Sequence, residues 1–495
     1  MVGGIPCSSA LALDPYSRCR VLYVALHPSE EKTPSTTWSK WNSLQLGDVW
    51  GDIYSLTVFG KTLIVVNSVE VADDLLNACG ANFSDRPVRP VGGTLAGFDN
   101  ALPLVQYGDR MRKERKHFHQ LFGTQAAIKQ FIPLLSTEVH NLLRNIVSNP
   151  NGLADEIRRA AGSITLRIAY GYQPRKGPER DPFLEMFETA GNNFFLSSTS
   201  AAPLADMIPI LRYWPEWMPG GGFHTTAKIW SKQLHNTVDT GMEYVKKEMA
   251  AGNAGPSFLS NVLGEENPDD YLKWAAIAIK VGGSDTNAAQ LEAFFLAMTL
   301  YPDVQAAAQK EIAQVVGNDR LPDISDRPHL PYVDALCKEV IRWHVAVPLG
   351  IPHRTREDYI YNRVGNPEPL LIPKDSLILA NIWKMTHDPK QYADPMAFNP
   401  SRFISTDGHE AEPDPGNISF GFGRRICPGK LLGETALFLE CSAILSVFNI
   451  SKARENGKVV EPELGMTSTS MSRVLPFKCV VEPRNSQALS LIDSS

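Results

Sequence analysis

Nothing in this chain offers a disulfide framework, a membrane-crossing run or a basic surplus. Its seven cysteines, Cys7, Cys19, Cys79, Cys337, Cys427, Cys441 and Cys479, are scattered without paired spacing. An odd, sparse set fits a reducing compartment and excludes a small stapled scaffold. No Cys/His spacing of the zinc type occurs, and His117-x-His119 reads as two faces of a charged helix. The uncharged stretches 2–13 and 22–26 fall short of the ~20 residues a bilayer-spanning helix needs, and no basic n-region precedes them. A net charge of −6 argues against nucleic acid as a partner. Residues 1–40 therefore read as a segment of uncertain structure with no clear membrane anchor, on a soluble or peripherally bound chain.

What is present is helix. Helical spacing runs over roughly 108–121, 125–148, 153–170, 183–197, 224–250, 269–300 and 302–316. Strands are few: the alternation 53–59, a turn at Gly60-Lys61 and a return over 62–66 predict one hairpin. Ser68 caps a helix to Cys79. Residues 86–106 read as a long Pro/Gly loop, the kind that is usually functional in a compact domain. Trp214-Pro215 and the glycines at 220–222 break the middle of the chain. Length alone predicts about three domains, but the chemical motifs between 107 and 429 must meet at one place. One mainly α unit with small β-sheets, over 41–495, accounts for that.

The most informative segment is Phe420-Gly421-Phe422-Gly423-Arg424-Arg425-Ile426-Cys427-Pro428-Gly429. It is read as a glycine-rich loop delivering Cys427 to the first turn of an apolar helix over 431–448. Orphan N–H groups and the positive end of the macrodipole there favour a thiolate. Gly421, Gly423 and Gly429 are expected to supply φ > 0 and close backbone approach. The plain alternative is a buried cysteine on a tight turn.

A second run, Gly282-Gly283-Ser284-Asp285-Thr286-Asn287, interrupts a long apolar helix. Glycine costs ~1 kcal/mol against alanine in a helix, so a ligand lying against the backbone is expected to compensate. Asp285 and Thr286 form an acid–alcohol pair suited to moving protons; a kink capped by Asp285 is the alternative. A third run, Glu339-Val340-Ile341-Arg342, sets opposite charges at i and i+3 on a half-buried helix. A buried pair needs further partners; this run with the later Pro400-Ser401-Arg402-Phe403 resembles the ion triad of the cytochrome P450 family, and the resemblance implies Arg402 as the third member.

The pattern Phe-x-x-Gly-x-Arg-x-Cys-x-Gly resembles the haem-binding signature of the cytochrome P450 family, and the other runs resemble its remaining motifs in order. Asn287 departs from the family's hydroxyl residue, and Met111 stands at its tryptophan position. The resemblance implies haem b with Cys427 as axial ligand of iron, and Phe420, Arg425 and Gly429 around it. It implies propionate contacts from Arg115, helped by Arg112, and from His353 or Arg354. Asp285 and Thr286 would serve catalysis.

Segments such as Asn82-Phe83-Ser84-Asp85-Arg86-Pro87 look most like P450s of fungal secondary metabolism. That implies a monooxygenase that hydroxylates or epoxidises a small lipophilic, terpenoid or polyketide substrate. NADPH–cytochrome P450 reductase, with cytochrome b5 as a second donor, would supply electrons. Relatives sit at the endoplasmic reticulum surface. A reductase-independent isomerase or dehydratase and a degenerate haem-binding protein stay open as alternatives.

Overall fold

The computed structural model describes residues 22–23, 50–175, 181–199, 203–264, 271–362, 369–467 and 470–493. Apart from a two-residue strand, the expected N-terminal segment 1–40 lies outside the described residues, as do 468–469 of the C-terminal turn.

Among the described residues nine long helices carry the core: α1 Asp109–Phe122, α2 Ile132–Ser148, α3 Leu153–Tyr170, α4 Pro182–Thr199, α5 Phe223–Ala250, α6 Leu272–Leu300, α7 Pro302–Val315, α8 Pro331–Trp343 and α9 Lys430–Val447. The two that matter most, α6 and α9, are apolar nearly all round, as helices enclosed by others must be; Phe294, Phe295 and Phe438 are fully buried on them. Gly283 explains how α6 approaches α3: a Cβ there would meet Thr165 Cγ2 at 2.8 Å. The hydrogen-bond pattern of α6 runs unbroken through 282–287, so the expected interruption is absent.

The main sheet joins β1 Leu22–Tyr23, β2 Ile53–Val58, β3 Lys61–Val66, β4 His353–Arg354 and β5 Leu377–Ala380 in the order β1-β2-β3-β5-β4. The hairpin turn is Phe59-Gly60 rather than Gly60-Lys61. Both turn residues have φ > 0 (50° and 76°), the geometry whose twist matches the flanking strands. Two other expectations shift. The 125–148 helix is broken: Gln125–Ile128 is capped by Thr124, and α2 restarts with Pro133 in its first turn, because proline supplies no N–H to a preceding turn. The 86–106 loop contains a wide helical turn, Pro90–Leu95. It is tied to the segment before α5 by the Asp206 carboxylate, which accepts from Val91 N at 2.7 Å and from Gly92 N.

Behind the sheet sits the charge triad. Arg342 donates Nε and Nη2 to the two Glu339 oxygens at 2.7 and 2.8 Å, and Arg402 Nε reaches Glu339 Oε1 at 3.2 Å. All three are buried, and the surplus donors are spent on the carbonyls of Thr386, Pro395, Ala397 and Ala393. The triad thus pins the 386–402 segment to α8. Glu339→Ala leaves buried Arg342 without its carboxylate and Arg402 with Glu412 alone; the expected loss is about 3–5 kcal/mol, read as a fall in urea midpoint without a change in slope.

Candidate active site around Cys427

Cys427 lies just before α9, not in its first turn, with Gly429 as the N-cap. Its N–H donates to Phe420 O at 2.8 Å, closing the loop. Burial pushes the thiol up, while the Gly429 amide bonded to the sulfur and the Arg115 charge pull it down. The same side chain is exposed. A sulfur that is open to solvent yet closely surrounded by protein lies in a recess, and its ionisation depends on the donors around it.

The three glycines do different things. Gly421 and Gly423 have φ of 79° and 61°, and a Cβ on Gly423 would strike Leu76 O at 1.9 Å. That carbonyl belongs to the wide turn Asp73–Ala78, which replaces the second half of the expected 68–79 helix. Gly429, expected at φ > 0, has φ −90°; its contribution is the amide aimed at sulfur.

A cluster of cations surrounds the recess. Arg115 is half-buried, close enough to Cys427 for each to shift the other, and makes no hydrogen bond or ion pair with the described residues. Arg425 donates Nε to Ser84 O at 2.8 Å and Nη2 to Val105 O at 2.6 Å; burial and Arg115 push it down to about 10. Arg86 donates Nη1 to Ile351 O and Pro352 O at 2.6 and 2.9 Å, while its buried Nε finds no partner. Burial and the charges of Arg425 and Arg115 hold Arg86 well below the usual guanidinium range. His353 is buried, gives Nδ1–H to Phe83 O at 2.7 Å, and is pushed down by burial and by Arg86.

The strand β4 settles which of two neighbours faces the cluster. Adjacent side chains on a strand point to opposite faces: His353 turns in, and Arg354 turns out to Asp375 at 3.0 Å, Gln106 at 3.1 Å and Asp85 at 3.4 Å. Arg112 also stands outside, paired with exposed Asp109 and lying over the Tyr107 ring. Met111 is buried in the core. Arg86 was the residue sequence reasoning missed. Its signal was Arg86-Pro87 one residue after Asp85, whose backbone O accepts from Arg354 N and so lays this segment along β4.

On α6, Gly282 is exposed and a Cβ there would meet nothing within 4 Å, so this glycine borders open space. Thr286 Oγ1 donates to Gly282 O at 2.6 Å, which leaves the oxygen lone pairs free to accept. Asp285 is ion-paired with Arg473 of the C-terminal turn, and fully buried Lys280 feels its charge. Ser472 N donates to Ala346 O at 2.7 Å, which joins that turn to the 345–351 segment. Phe194 packs edge-on against Phe98 and Phe195, drawing α4 and the 86–106 segment together. Asn287 turns away from Thr286: its Nδ2 donates to Glu440 Oε1 and Oε2 of α9 at 3.0 and 3.3 Å.

The donor set fits haem. A cysteine with an amide on its sulfur suits an axial iron ligand. Three mutually repelling guanidiniums, one with an orphan buried N–H, suit two ligand carboxylates. Among the described residues no cluster of three His, Cys, Asp or Glu could hold a metal by itself.

Comparison with known proteins agrees. The family model described as Cytochrome P450 matches residues 40–475. The chain is 43% identical over 464 residues to cytochrome P450 monooxygenase 208 of Postia placenta, which covers 93% of this chain and 88% of that protein. Cytochrome P450 monooxygenase claR of Ampulloclitocybe clavipes is 42% identical over 449 residues, 90% of this chain and 82% of the relative. Cytochrome P450 monooxygenase ppsD of Aspergillus oryzae is 36% identical over 466 residues, 92% and 86%. Since the family match spans the Cys427 loop, the cation cluster and α6 alike, the chain belongs to the cytochrome P450 family, a haem-thiolate monooxygenase of the fungal type.

Proposed function

We propose that this enzyme inserts one oxygen atom from O2 into a small lipophilic substrate of fungal secondary metabolism, by hydroxylation or epoxidation. Electrons come from NADPH through a separate reductase. The observation that carries the reading is Cys427, with the Gly429 amide on its sulfur, beside Arg115. Haem bound there supplies the oxygen-activating and oxygen-transferring chemistry.

The chain's own residues bind, orient and move protons. The Gly429 N–H and Arg115 offset part of the burial that favours the Cys427 thiol, and iron bound there would complete the thiolate. Arg86, Arg115 and Arg425 would hold the two haem carboxylates, whose negative charge would let His353 take up a second proton and donate from Nε2, and Phe420 closes the loop through its carbonyl. Thr286 Oγ1, whose own proton stays on Gly282 O, would accept a hydrogen bond from a group in the recess, and the Asp285 carboxylate would take up a proton on the Arg473 side and release it toward the recess. The catalytic unit is 41–495.

The face around the Cys427 loop is basic: Lys113 and Lys116 are exposed on α1, and Arg112, Arg356 and Arg424 surround the Tyr107 ring. Such a face suits an acidic electron donor. Ile210, Tyr213 and Trp217 are 74%, 69% and 83% exposed, a patch fit for the interfacial layer of an endoplasmic reticulum membrane. No helix among the described residues is long and apolar enough to cross one.

Purified holoprotein with reductase and NADPH should consume oxygen in step with product from terpenoid or polyketide candidates; background consumption with every candidate would sink the reading. Thr286→Ala should raise peroxide released per NADPH oxidised, and unchanged coupling would remove Thr286 from the proton path. Arg86→Leu removes charged hydrogen-bond donors worth roughly 1.5–3 kcal/mol, so haem transfer to apomyoglobin should be about 10–100-fold faster. Lys113→Glu with Lys116→Glu should slow reduction by the reductase at low salt, with the difference shrinking as salt screens it.

A further inference from the structure

Glu440 is an expensive residue for its place. It is 1% exposed, on a stretch of α9 whose neighbours Leu437, Phe438, Leu439, Cys441 and Ala443 are all buried. Among the described residues no positive charge shifts it. Its hydrogen-bond partner is the Asn287 amide, which donates to both carboxyl oxygens at 3.0 and 3.3 Å. Burial pushes the carboxyl up to about 8 and the Asn287 hydrogen bond only partly offsets this, so the group is an acid at neutral pH. A buried polar group of this kind is tolerated only where its partner is specific.

The charged groups nearby are spent elsewhere. On α6, Asp285 and Glu292 turn to Arg473 and Arg158; on α8, Glu339 and Arg342 satisfy each other. The titratable neighbours are the Cys441 thiol and, bonded to it, the Cys337 thiol of α8.

The pair joins two helices that must be in register. Asn287 follows Thr286 directly on α6, and successive helix positions are rotated by about 100°, so fixing the Asn287 azimuth fixes that of Thr286. Helix α9 starts at Gly429, whose amide holds the Cys427 sulfur. We propose that the buried hydrogen-bonded pair Glu440–Asn287 is a positioning device, which sets the rotation of α6 over the Cys427 loop and so holds the Thr286 hydroxyl where it serves proton delivery. This rests on the proton role proposed for Thr286. Asn287 then works downward into the core, where a hydroxyl side chain would be too short to reach the acid.

The test combines a readout of the acid itself with one of coupling. Infrared difference spectra between pH 7 and pH 9 should contain a protonated-carboxyl band that Glu440→Gln removes; a band untouched by that change overturns the neutral-acid assignment. Because the fold favours the protonated form, native stability should fall as pH rises from the ordinary carboxyl range through about 8. In Glu440→Gln, which keeps the acceptor but cannot ionise, that fall should disappear. Asn287→Leu and Glu440→Leu should each raise peroxide released per NADPH by roughly fivefold, the factor one buried hydrogen bond carries.

The double variant should be no worse than either single one, and haem content and the thiolate-type Soret band of the CO adduct should be unchanged. Glu440→Gln should couple like wild type at pH 7 and stay coupled above pH 8, where wild type declines. Flat coupling in both leucine variants beside a normal response from Thr286→Ala overturns the inference alone. Flat coupling in Thr286→Ala as well overturns the proton role and the inference with it.

Discussion

Holding an anionic sulfur inside a protein is the constraint on which the rest of this structure depends. The interior opposes the charge, and burial pushes Cys427 toward the thiol. Two things oppose that: the amide of Gly429 and the positive charge of Arg115. Arg115 in turn sits beside Arg425 and Arg86, and burial first, then mutual repulsion, disfavours the charged form of Arg86 and Arg425. Backbone carbonyls keep the cluster together. Ser84, Val105, Ile351 and Pro352 each accept from one of these arginines, and the sheet strand β4 fixes the segments that supply them. The triad of Glu339, Arg342 and Arg402 lies further back and holds the frame that these segments hang on.

Helix α6 shows how one short run can answer to several masters. Gly283 is small because α3 presses on it, and Gly282 is small where space opens. Asp285 goes to the C-terminal turn through Arg473, Thr286 keeps its hydroxyl on the helix backbone, and Asn287 reaches down to α9. The differences follow from rotation around a helix axis: adjacent residues face different neighbours. A run that looks like a single motif in the sequence is therefore several separate contacts in space.

Much of this was legible beforehand. Helix positions followed from apolar periodicity; Cys427 and the Asp285–Thr286 pair stood out as candidates by residue type and spacing, and Arg425 through the family resemblance. The failures have local physical causes. Pro133 breaks a helix that apolar spacing alone carried through, because periodicity registers side chains and not the missing N–H. Gly429 was assigned a left-handed backbone it does not have; a glycine in a motif signals either conformational freedom or an unobstructed amide, and the letters do not distinguish them. Arg112 was grouped with Arg115, although their helix turns one to solvent and the other to the recess.

Residue chemistry by itself determined that a cysteine loop, an acid–alcohol pair on a buried helix and the Glu339–Arg342 ion pair exist in this chain, because each is encoded within a few consecutive positions. Only the tertiary structure decided which cations gather at the sulfur. Arg86 enters because the 82–86 segment lies along β4, and His353 enters in preference to Arg354 because strand side chains alternate between faces. It also decided that Asn287 belongs with Glu440. Those two residues are far apart in the chain and meet only because α6 packs on α9, and long-range packing leaves no mark in local sequence.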